Sequence, residues 1–214
     1  MNPFPVILSS PSGGGKTTIA RELLSRRNDV GYSISCTTRG PRQGERDGVD
    51  YYFLTREQFM ARREAGDFAE SAEVHGNLYG TLKSEIARVL GSGKHVIMDI
   101  DVQGAAQITL AFPQAVTVFV LPPSAEVLLE RLRRRKTESP QALVARLNSA
   151  LHELRAVDDY EYVVVNDDLD RAVKQIGAIL DAEVVSRERV FGLRMQVEAL
   201  IQRLQSEIDH HSTS

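Results

Sequence analysis

Several features that define classes of protein are scarce or missing in this sequence. It holds a single cysteine, Cys36, so no disulfide can form within the chain, and a reducing compartment suits it. The formal net charge is −3, which argues against a nucleic-acid binder that neutralises phosphates. No apolar run approaches transmembrane length, and residues 1–5 lack the basic start of a signal peptide. We therefore expect a cytoplasmic protein that binds neither nucleic acid nor membranes.

What the sequence does contain is an alternation of short apolar runs and helical patterns. With 214 residues, of which 42% are hydrophobic, the chain suits one α/β domain with insertions or two small domains. The runs are continuous and rich in β-branched residues, which is typical of strands buried on both faces of a parallel sheet. The predicted core strands are Val6–Leu8, Val96–Ile100, Val116–Leu121 and Tyr162–Val165. Because helices fall between them, the predicted fold class is α/β, a parallel sheet flanked by helices.

A glycine-rich motif follows the first of these strands and precedes an apparent helix over 19–27. The run Ser9–Thr18 places a glycine turn before Lys and Thr, in the context that a P-loop requires. Backbone N–H groups of such a turn, with the positive end of the next helix, hold a polyphosphate. Lys16 is expected to reach its β- and γ-phosphates and Thr17 to bind Mg²⁺, although Ser10 replaces the first glycine of the motif. The residues expected to surround the polyphosphate are Ser10, Pro11, Ser12, Gly13, Gly14, Gly15, Lys16, Thr17 and Thr18.

Two further segments interrupt the pattern of a sheet core, and both follow predicted strands. Residues 33–81 are rich in Arg, Gly, Asp, Glu and Tyr, and residues 124–149 carry a basic run over 131–136. In the first segment, Thr55 and Gln58 predict a capping box at the start of a helix. Open α/β sheets bind ligands beyond the carboxyl ends of their strands. We therefore interpret both segments as insertions on the ligand side of one P-loop core.

These two insertions resemble those of guanylate kinases, within the nucleoside monophosphate kinases. Residues 35–45 match the family signature S-x-T-T-R-x-P-R-x-G-E, and residues 47–53 continue it. Further matches follow in family order at 68–70, 76–81, 99–104, 131–132 and 165–167. The resemblance extends from about residue 5 to about residue 182. It implies a P-loop core with a small GMP-binding insertion that contains β-strands, and a helical lid.

The resemblance assigns the phosphate of GMP to four residues of the first insertion. A phosphate dianion suits planar guanidinium groups that donate two hydrogen bonds at once. Arg39 and Arg42 are these groups by resemblance. Tyr51 and Tyr79 are expected to add hydroxyl donors to the same phosphate.

The resemblance also assigns a pocket for the base. Guanine presents N1–H and an exocyclic amine, and one buried carboxylate can accept hydrogen bonds from both. Glu70 is that carboxylate by resemblance. Ser35, Thr81 and Asp101 are expected to complete the pocket.

The second insertion is expected to supply the arginines of the lid. Negative charge moves through a phosphoryl group during transfer, and arginines stabilise it. Arg131, Arg135 and Arg146 match the lid positions of the family. Together with Lys16 and Arg39 they form the expected catalytic set.

Polar residues that follow two predicted strands are expected to bind metal and ATP. Asp99 and Asp101 lie on the same face at the end of one strand. We assign Asp99, with Thr17, to Mg²⁺ and Asp101 to GMP, but the roles of the two aspartates could be reversed or shared. By resemblance, Asn166 and Asp167 lie near the adenine of ATP.

The resemblance implies an enzyme that transfers the γ-phosphate of Mg-ATP to GMP, and to dGMP, giving ADP and GDP in purine metabolism and GMP recycling. The expected mechanism is direct in-line transfer, which depends on positioning and needs no dedicated base. Two alternatives stand beside it. The base pocket argues against a related kinase acting on a ribose bisphosphate. Intact Lys16, Thr17 and Asp99 argue against a non-catalytic protein-binding module.

The predicted organisation is one kinase-like domain over 1–184 and a C-terminal helical extension over 185–214. The parts of the domain are a core (1–32, 82–123, 150–184), the GMP-binding insertion (33–81) and the lid (124–149). An a/d-like stripe over fewer than three heptads marks the extension: Val190, Leu193, Val197, Leu200 and Leu204. It could pair two subunits or lie on its own core, and we favour self-association into a homo-oligomer.

Overall fold

A computed structural model describes residues 2–74, 76–133 and 140–212. In this part of the chain the elements are β1 (Pro5–Ser9), α1 (Lys16–Arg26), β2 (Val30–Tyr32), β3 (Cys36–Thr37), β4 (Tyr52–Phe53), α2 (Arg56–Glu64), β5 (Phe68–Val74), β6 (Asn77–Leu82), α3 (Lys83–Gly91), β7 (His95–Asp99), α4 (Val102–Ala111), β8 (Val116–Leu121), α5 (Ala125–Arg133), α6 (Pro140–Arg155), β9 (Tyr162–Val165), α7 (Leu169–Val184) and α8 (Leu193–Ser212), with a 3₁₀ turn (Ala156–Asp159) before β9. Helices and strands alternate, so the predicted α/β class is confirmed.

The main sheet is parallel, with strands in the order β2-β7-β1-β8-β9. All four predicted core strands are present, but β2 was missed, because three residues with a central Gly31 make no apolar run. The prediction that the core strands are buried on both faces was wrong for β9, where Val163 is 49% exposed and Val165 is 41% exposed. The reason is that β9 lies at the edge of the sheet. The central β1 is fully buried, and its carboxyl end leads directly into the P-loop.

A second, smaller sheet lies within residues 36–82, with strands in the order β4-β3-β6-β5. Beneath it a separate apolar cluster forms from Cys36, Phe59, Leu78 and Leu82. The predicted capping box at the start of α2 is present, because the Gln58 N–H donates to the Thr55 side chain and the Thr55 N–H donates to the Gln58 side chain. This cluster gives the β5–β6 hairpin a core of its own.

The helices α5 and α6 flank residues 134–139, which are outside the described part of the chain. Leu128 and Leu132 of α5 pack against Ala150 of α6. The two helices therefore form a pair with its own apolar contact, in the segment that the sequence assigns to the lid.

The chain divides into two compact units, residues 3–177 and residues 178–212 with Asn2. In the second unit, α8 begins at Leu193, directly after Gly192. The φ of Gly192 is +69°, which is not a helical value, so the helix does not extend back through this residue. Val190 therefore lies outside this helix, and the predicted stripe does not run along one helix from its first residue. Pairing of two subunits through residues 185–214 stays a prediction. Among the described residues, no helix combines the length and the apolar character needed to cross a membrane.

Candidate functional site

The glycine-rich turn after β1 has the backbone of an anion cradle. Gly13 and Gly15 have φ of +85° and +97°, in the left-handed region that other residues enter only with strain. The helix α1 begins at Lys16 rather than at Ile19 as the apolar pattern predicted. Lys16 and Thr17 therefore stand in the first helical turn, where unpaired N–H groups and the helix dipole favour an anion.

The serine that replaces the first glycine of the motif is accommodated by a glycine four residues later. Ser10 is 1% exposed, and its Oγ donates a hydrogen bond to the carbonyl oxygen of Pro11 at 3.1 Å. A Cβ atom added to Gly14 would lie 2.6 Å from the Cβ of Ser10. Because Gly14 has no side chain, Ser10 fits against it and the loop stays closely packed.

Side chains from three other elements hold the backbone of this loop. Ser12 N–H donates to Oε2 of Glu153 at 2.7 Å, from α6. Asn166 Nδ2 donates to the carbonyl oxygen of Gly14 at 2.8 Å, and Nη1 of Arg131 donates to the same oxygen at 3.2 Å. Gly15 must lack a side chain, because an added Cβ would lie 2.4 Å from Asn166 Nδ2. The turn is therefore fixed by contacts from α5, from α6 and from the loop after β9.

Thr17 and Asp99 meet at the end of β7. Thr17 Oγ1 donates to Oδ2 of Asp99 at 2.6 Å, and the hydroxyl of Tyr32 donates to Oδ1. Burial and the neighbouring Asp99 raise the pKa of Tyr32 well above its usual value, so the phenol stays protonated and keeps donating. In the described ranges, no three His, Cys, Asp or Glu residues cluster as a metal site. The chemistry here is a pair of hard oxygen ligands, which suits Mg²⁺ completed by phosphates and water.

One cavity of about 220 Å³ joins these P-loop residues to the first insertion. Lys16, Thr17 and Asp99 line it on one side. The predicted GMP residues that line it are Ser35, Arg42, Tyr51, Glu70, Tyr79 and Asp101. Residues that lie far apart in the sequence are therefore brought around one space.

Glu70 forms the buried end of this cavity. It is 4% exposed, and Thr81 Oγ1 donates to its Oε1 at 2.7 Å. Ser35 Oγ lies 3.5 Å from the Thr81 hydroxyl, whose proton is already given to Glu70, so Ser35 is the donor of that pair. Burial raises the pKa of Glu70 to about 7, and the hydrogen bond from Thr81 opposes the rise. A Cβ on Gly104 would lie 2.7 Å from Oε2 of Glu70, so a glycine there leaves room for the carboxylate.

Asp101 has a structural role that the sequence analysis did not assign. Its Oδ1 accepts from Gln103 N–H and Gly104 N–H, both at 2.8 Å, and caps the N-terminus of α4. The same side chain lines the cavity. The carboxylate of Asp101 is therefore held in place by the helix that it caps.

Arg39 is not among the residues that line the cavity, but it is held beside Tyr51, which does line it. Two nitrogens of its guanidinium pair with the two carboxylate oxygens of Glu45 at 2.9 and 3.0 Å. The guanidinium carbon lies 5.3 Å from the ring centroid of Tyr51, within the range of a cation–π contact. Glu45 also accepts from the N–H of Arg42 at 2.7 Å, so one carboxylate organises both predicted phosphate arginines. Burial raises the pKa of Tyr51 to about 12, which keeps its hydroxyl a donor.

A second cavity, of about 360 Å³, lies on the other side of the P-loop. Gly13, Gly15 and Thr18 line it together with Arg131 and the predicted ATP residues Asn166 and Asp167. The side chain of Asp167 is paired with Arg171, and that of Asn166 is turned to the loop backbone. The predicted ATP residues thus surround this space, although two of them already have internal partners.

Arg146, another of the predicted lid arginines, lines neither cavity. Arg146 is 5% exposed, and its Nη1 donates to the carbonyl oxygen of Leu132 at 2.8 Å, at the C-terminal end of α5. Arg135 lies outside the described residues. Of the two lid arginines that the structure describes, Arg131 therefore lies at the P-loop and Arg146 does not.

Four residues that the sequence patterns did not single out belong to this site. They are Tyr32, Glu45, Gly104 and Glu153. Glu45 and Gly104 fall inside the matched motifs and could have been noticed there. Tyr32 and Glu153 carry no local signal, because their contacts join elements that are 67 and 141 residues apart.

Comparison with known proteins gives a consistent result. The family model described as guanylate kinase matches residues 2–183. The chain is 48% identical over 185 residues to a guanylate kinase of Clostridium perfringens, with 86% of each protein covered. It is 46% identical over 197 residues to a guanylate kinase of Chelativorans sp., covering 92% of this chain and 90% of that relative. A crystal structure of guanylate kinase from Anaplasma phagocytophilum is similar with a TM-score of 0.77 and 35% identity, over 92% of this chain and 94% of that one.

Proposed function

Because this chain belongs to the guanylate kinase family, and is thus an enzyme that phosphorylates GMP to GDP with ATP as the donor, we propose how its residues do so. The single observation that carries the proposal is the cavity lined by Lys16 and Thr17 at one end and by Glu70 at the other. It offers a phosphate cradle and a base reader in one space. A GMP phosphate oxygen placed between them attacks the γ-phosphorus of ATP directly and in line.

Glu70 reads the base in this proposal. Its ionised carboxylate accepts from N1–H and the adjacent exocyclic amine of guanine. Adenine offers no such pair of donors, so AMP leaves a buried acceptor unpaired. The buried Thr81 hydroxyl holds Oε1 and thereby fixes the orientation of the carboxylate. The proposed contacts address the base and the phosphate, and none is assigned to the 2′-hydroxyl, so dGMP is a substrate as well.

In this proposal, the lysine and arginine side chains of the site stabilise the negative charge on the transferred phosphoryl group. Lys16 faces the β- and γ-phosphates, and Arg39 and Arg42 hold the GMP phosphate with the hydroxyls of Tyr51 and Tyr79. Arg131 is already at the P-loop, where it donates to the Gly14 carbonyl. We assign Arg135 and Arg146 to the same task when the lid closes over both substrates and excludes water.

The oxygen pair of Thr17 and Asp99 fits Mg²⁺, since this ion takes one or two protein oxygens and completes its shell with phosphates and water. Mg²⁺ held there would neutralise charge on the β- and γ-phosphates. Tyr32 orients Asp99 through the other carboxylate oxygen. We also propose a cytoplasmic location and a role in purine recycling, in keeping with a chain whose one cysteine is free.

The test is an assay of ADP release with Mg-ATP and each of GMP, dGMP, AMP, CMP and UMP. Turnover with GMP and dGMP and not with the other three supports the base pocket as described. Turnover with GMP but not with dGMP overturns the proposal that the 2′-hydroxyl is not needed for binding. Comparable turnover with AMP overturns the assignment of Glu70.

A further inference from the structure

The carboxylate of Glu153 lies beside the P-loop, where a negative charge does not help to bind phosphate. The side chain lines the same cavity as Lys16 and accepts the Ser12 N–H at 2.7 Å. The cavity lining carries four carboxylates against the two cations Lys16 and Arg42. Three of those carboxylates have tasks already described, as base reader, metal ligand and helix cap. The fourth, Glu153, repels an incoming polyphosphate unless its contact with the loop serves a purpose.

That contact fixes Ser12, a residue of the P-loop that Arg131 and Asn166 do not hold. Arg131 and Asn166 both donate to the carbonyl oxygen of Gly14, on the C-terminal half of the turn. Ser12 lies at the start of the turn, and Glu153 holds it through the N–H alone. Burial raises the pKa of Glu153, and the Ser12 N–H and Lys16 oppose that rise, so the contact favours the ionised acceptor.

The helix that carries Glu153 is the returning arm of the predicted lid. Arg146 and Glu153 both lie on α6, seven residues and hence about two turns apart, on the same face. Arg146 is bonded to the C-terminal end of α5, whereas Glu153 is bonded to the P-loop. The helix α6 thus joins the lid pair to the start of the phosphate cradle.

We propose that Glu153 is a positioning residue for ATP, whose carboxylate holds the Ser12 N–H and with it the first half of the P-loop in the shape that receives the phosphates. The inference rests on the proposed binding of ATP at this loop. It assigns Glu153 no contact with either substrate and no proton transfer. The benefit of a fixed cradle exceeds the repulsion between one carboxylate and the phosphates.

The test compares two substitutions that remove the same charge. Both Glu153→Ala and Glu153→Gln are neutral at this position, but only the glutamine keeps an oxygen that can accept the Ser12 N–H. A hydrogen bond of this kind, left unmade, costs about tenfold in an equilibrium. We expect the KM for ATP to be about tenfold higher in Glu153→Ala than in Glu153→Gln, with the KM for GMP equal in both.

Glu161 provides a matched control. Its Oε2 accepts the N–H of Thr117 at 3.0 Å, the same kind of bond, at the start of β8 and away from the P-loop. Glu161→Ala should lower the free energy of unfolding in urea without changing the KM for ATP. If Glu153→Ala does not fold, Glu153→Asp against the wild type gives the same comparison at constant charge, because the shorter carboxylate cannot reach Ser12.

Equal KM values for ATP in Glu153→Ala and Glu153→Gln overturn the proposal. A rise in the KM for ATP in Glu161→Ala as large as that in Glu153→Ala also overturns it, because the effect is then one of general stability. Failure of the underlying assignment has a different signature. If Lys16→Ala leaves the KM for ATP and kcat at wild-type values, the loop is not the ATP site, whatever the Glu153 variants do.

Discussion

The two ends of the cavity are built in different ways. At the base end, Glu70 and Thr81 are directly opposite each other on the paired strands β5 and β6. Both side chains are buried and already joined by a hydrogen bond of 2.7 Å. The packing of Gly104 against the carboxylate leaves little freedom for Glu70. The two side chains of this end are therefore held by contacts within the protein.

The phosphate end depends on side chains from loops and from the lid segment. Arg42 is exposed, Arg39 is paired with Glu45, and Arg131 is bonded to a backbone carbonyl. Arg146 is occupied at the end of α5. The physical reason is that reading a base needs acceptors fixed in position, whereas long cations can exchange one oxygen partner for another. The proposed mechanism therefore assigns selectivity to the sheet, and it assigns charge to arginines of the loops and of α5 and α6.

The largest effect is expected at the P-loop, which lies at the phosphate end of the cavity. Lys16→Ala should reduce kcat by about a hundredfold or more, since a fixed cation at the developing charge is removed. Binding of GMP should stay unchanged, because its contacts lie elsewhere. Turnover is measured by ADP release and GMP affinity by calorimetry. Wild-type turnover in this variant would remove the P-loop from the mechanism.

Glu70→Gln tests the claim that the base end carries selectivity. The amide presents an N–H donor where guanine also donates, so one charged hydrogen bond is lost or mismatched, at about 1.5–3 kcal/mol. We expect the ratio of kcat/KM for GMP over AMP to fall by about 10- to 100-fold, with the KM for ATP unchanged. An unchanged ratio would mean that another group reads the base.

The pH dependence of the base end follows from the pKa of about 7 for Glu70, raised by burial from an ordinary value of 4.5. Guanine requires the ionised form, so the KM for GMP should rise about tenfold per pH unit below 7. Glu70→Gln should lack this component, and the difference between the two profiles excludes the ionisation of GMP itself. The free energy of unfolding depends on pH in the opposite direction, because the folded state binds the Glu70 proton more tightly than the unfolded state does. The stability that this proton contributes is fully present below pH 4.5 and is lost as the pH rises through about 7. Urea unfolding at several pH values measures it.

Packing inside the P-loop gives a smaller effect. Gly14→Ala should cost about 1–3 kcal/mol of unfolding free energy, because its Cβ would meet Ser10. In the Ser10→Gly background most of that cost should disappear. A double-mutant cycle by denaturant unfolding measures the coupling. Additive effects of the two substitutions would show that position 10 imposes no requirement on position 14.

The smallest effect is expected at the ion pair between Arg39 and Glu45. Glu45→Gln keeps the shape but weakens the paired contact that holds Arg39, a loss of about 1 kcal/mol. The KM for GMP should rise by about fivefold, and the KM for ATP should not change. Tighter GMP binding would instead indicate that Glu45 competes with the phosphate for Arg39.

Sequence patterns predicted the elements that local physics decides. The strands β1, β8 and β9 and the capping box of α2 lie where apolar runs and Thr55 with Gln58 predict them. The start of α1 was placed three residues late, because the apolar pattern begins at Ile19 while the helix begins at Lys16. The short β2 was missed, because its strand conformation comes from pairing with β7 rather than from its own three residues.

By itself the sequence determined the α/β class, the phosphate-binding turn and, through ordered motifs, the family. These depend on the periodicity of apolar residues and on the spacing of glycines, lysine and arginines, all of which are local. Only the tertiary structure decided that Glu153 holds Ser12, that Tyr32 orients Asp99 and that burial keeps the pKa of Glu70 near neutrality. Contacts between distant elements, and the loss of water around a charge, arise from packing, and no stretch of sequence contains them.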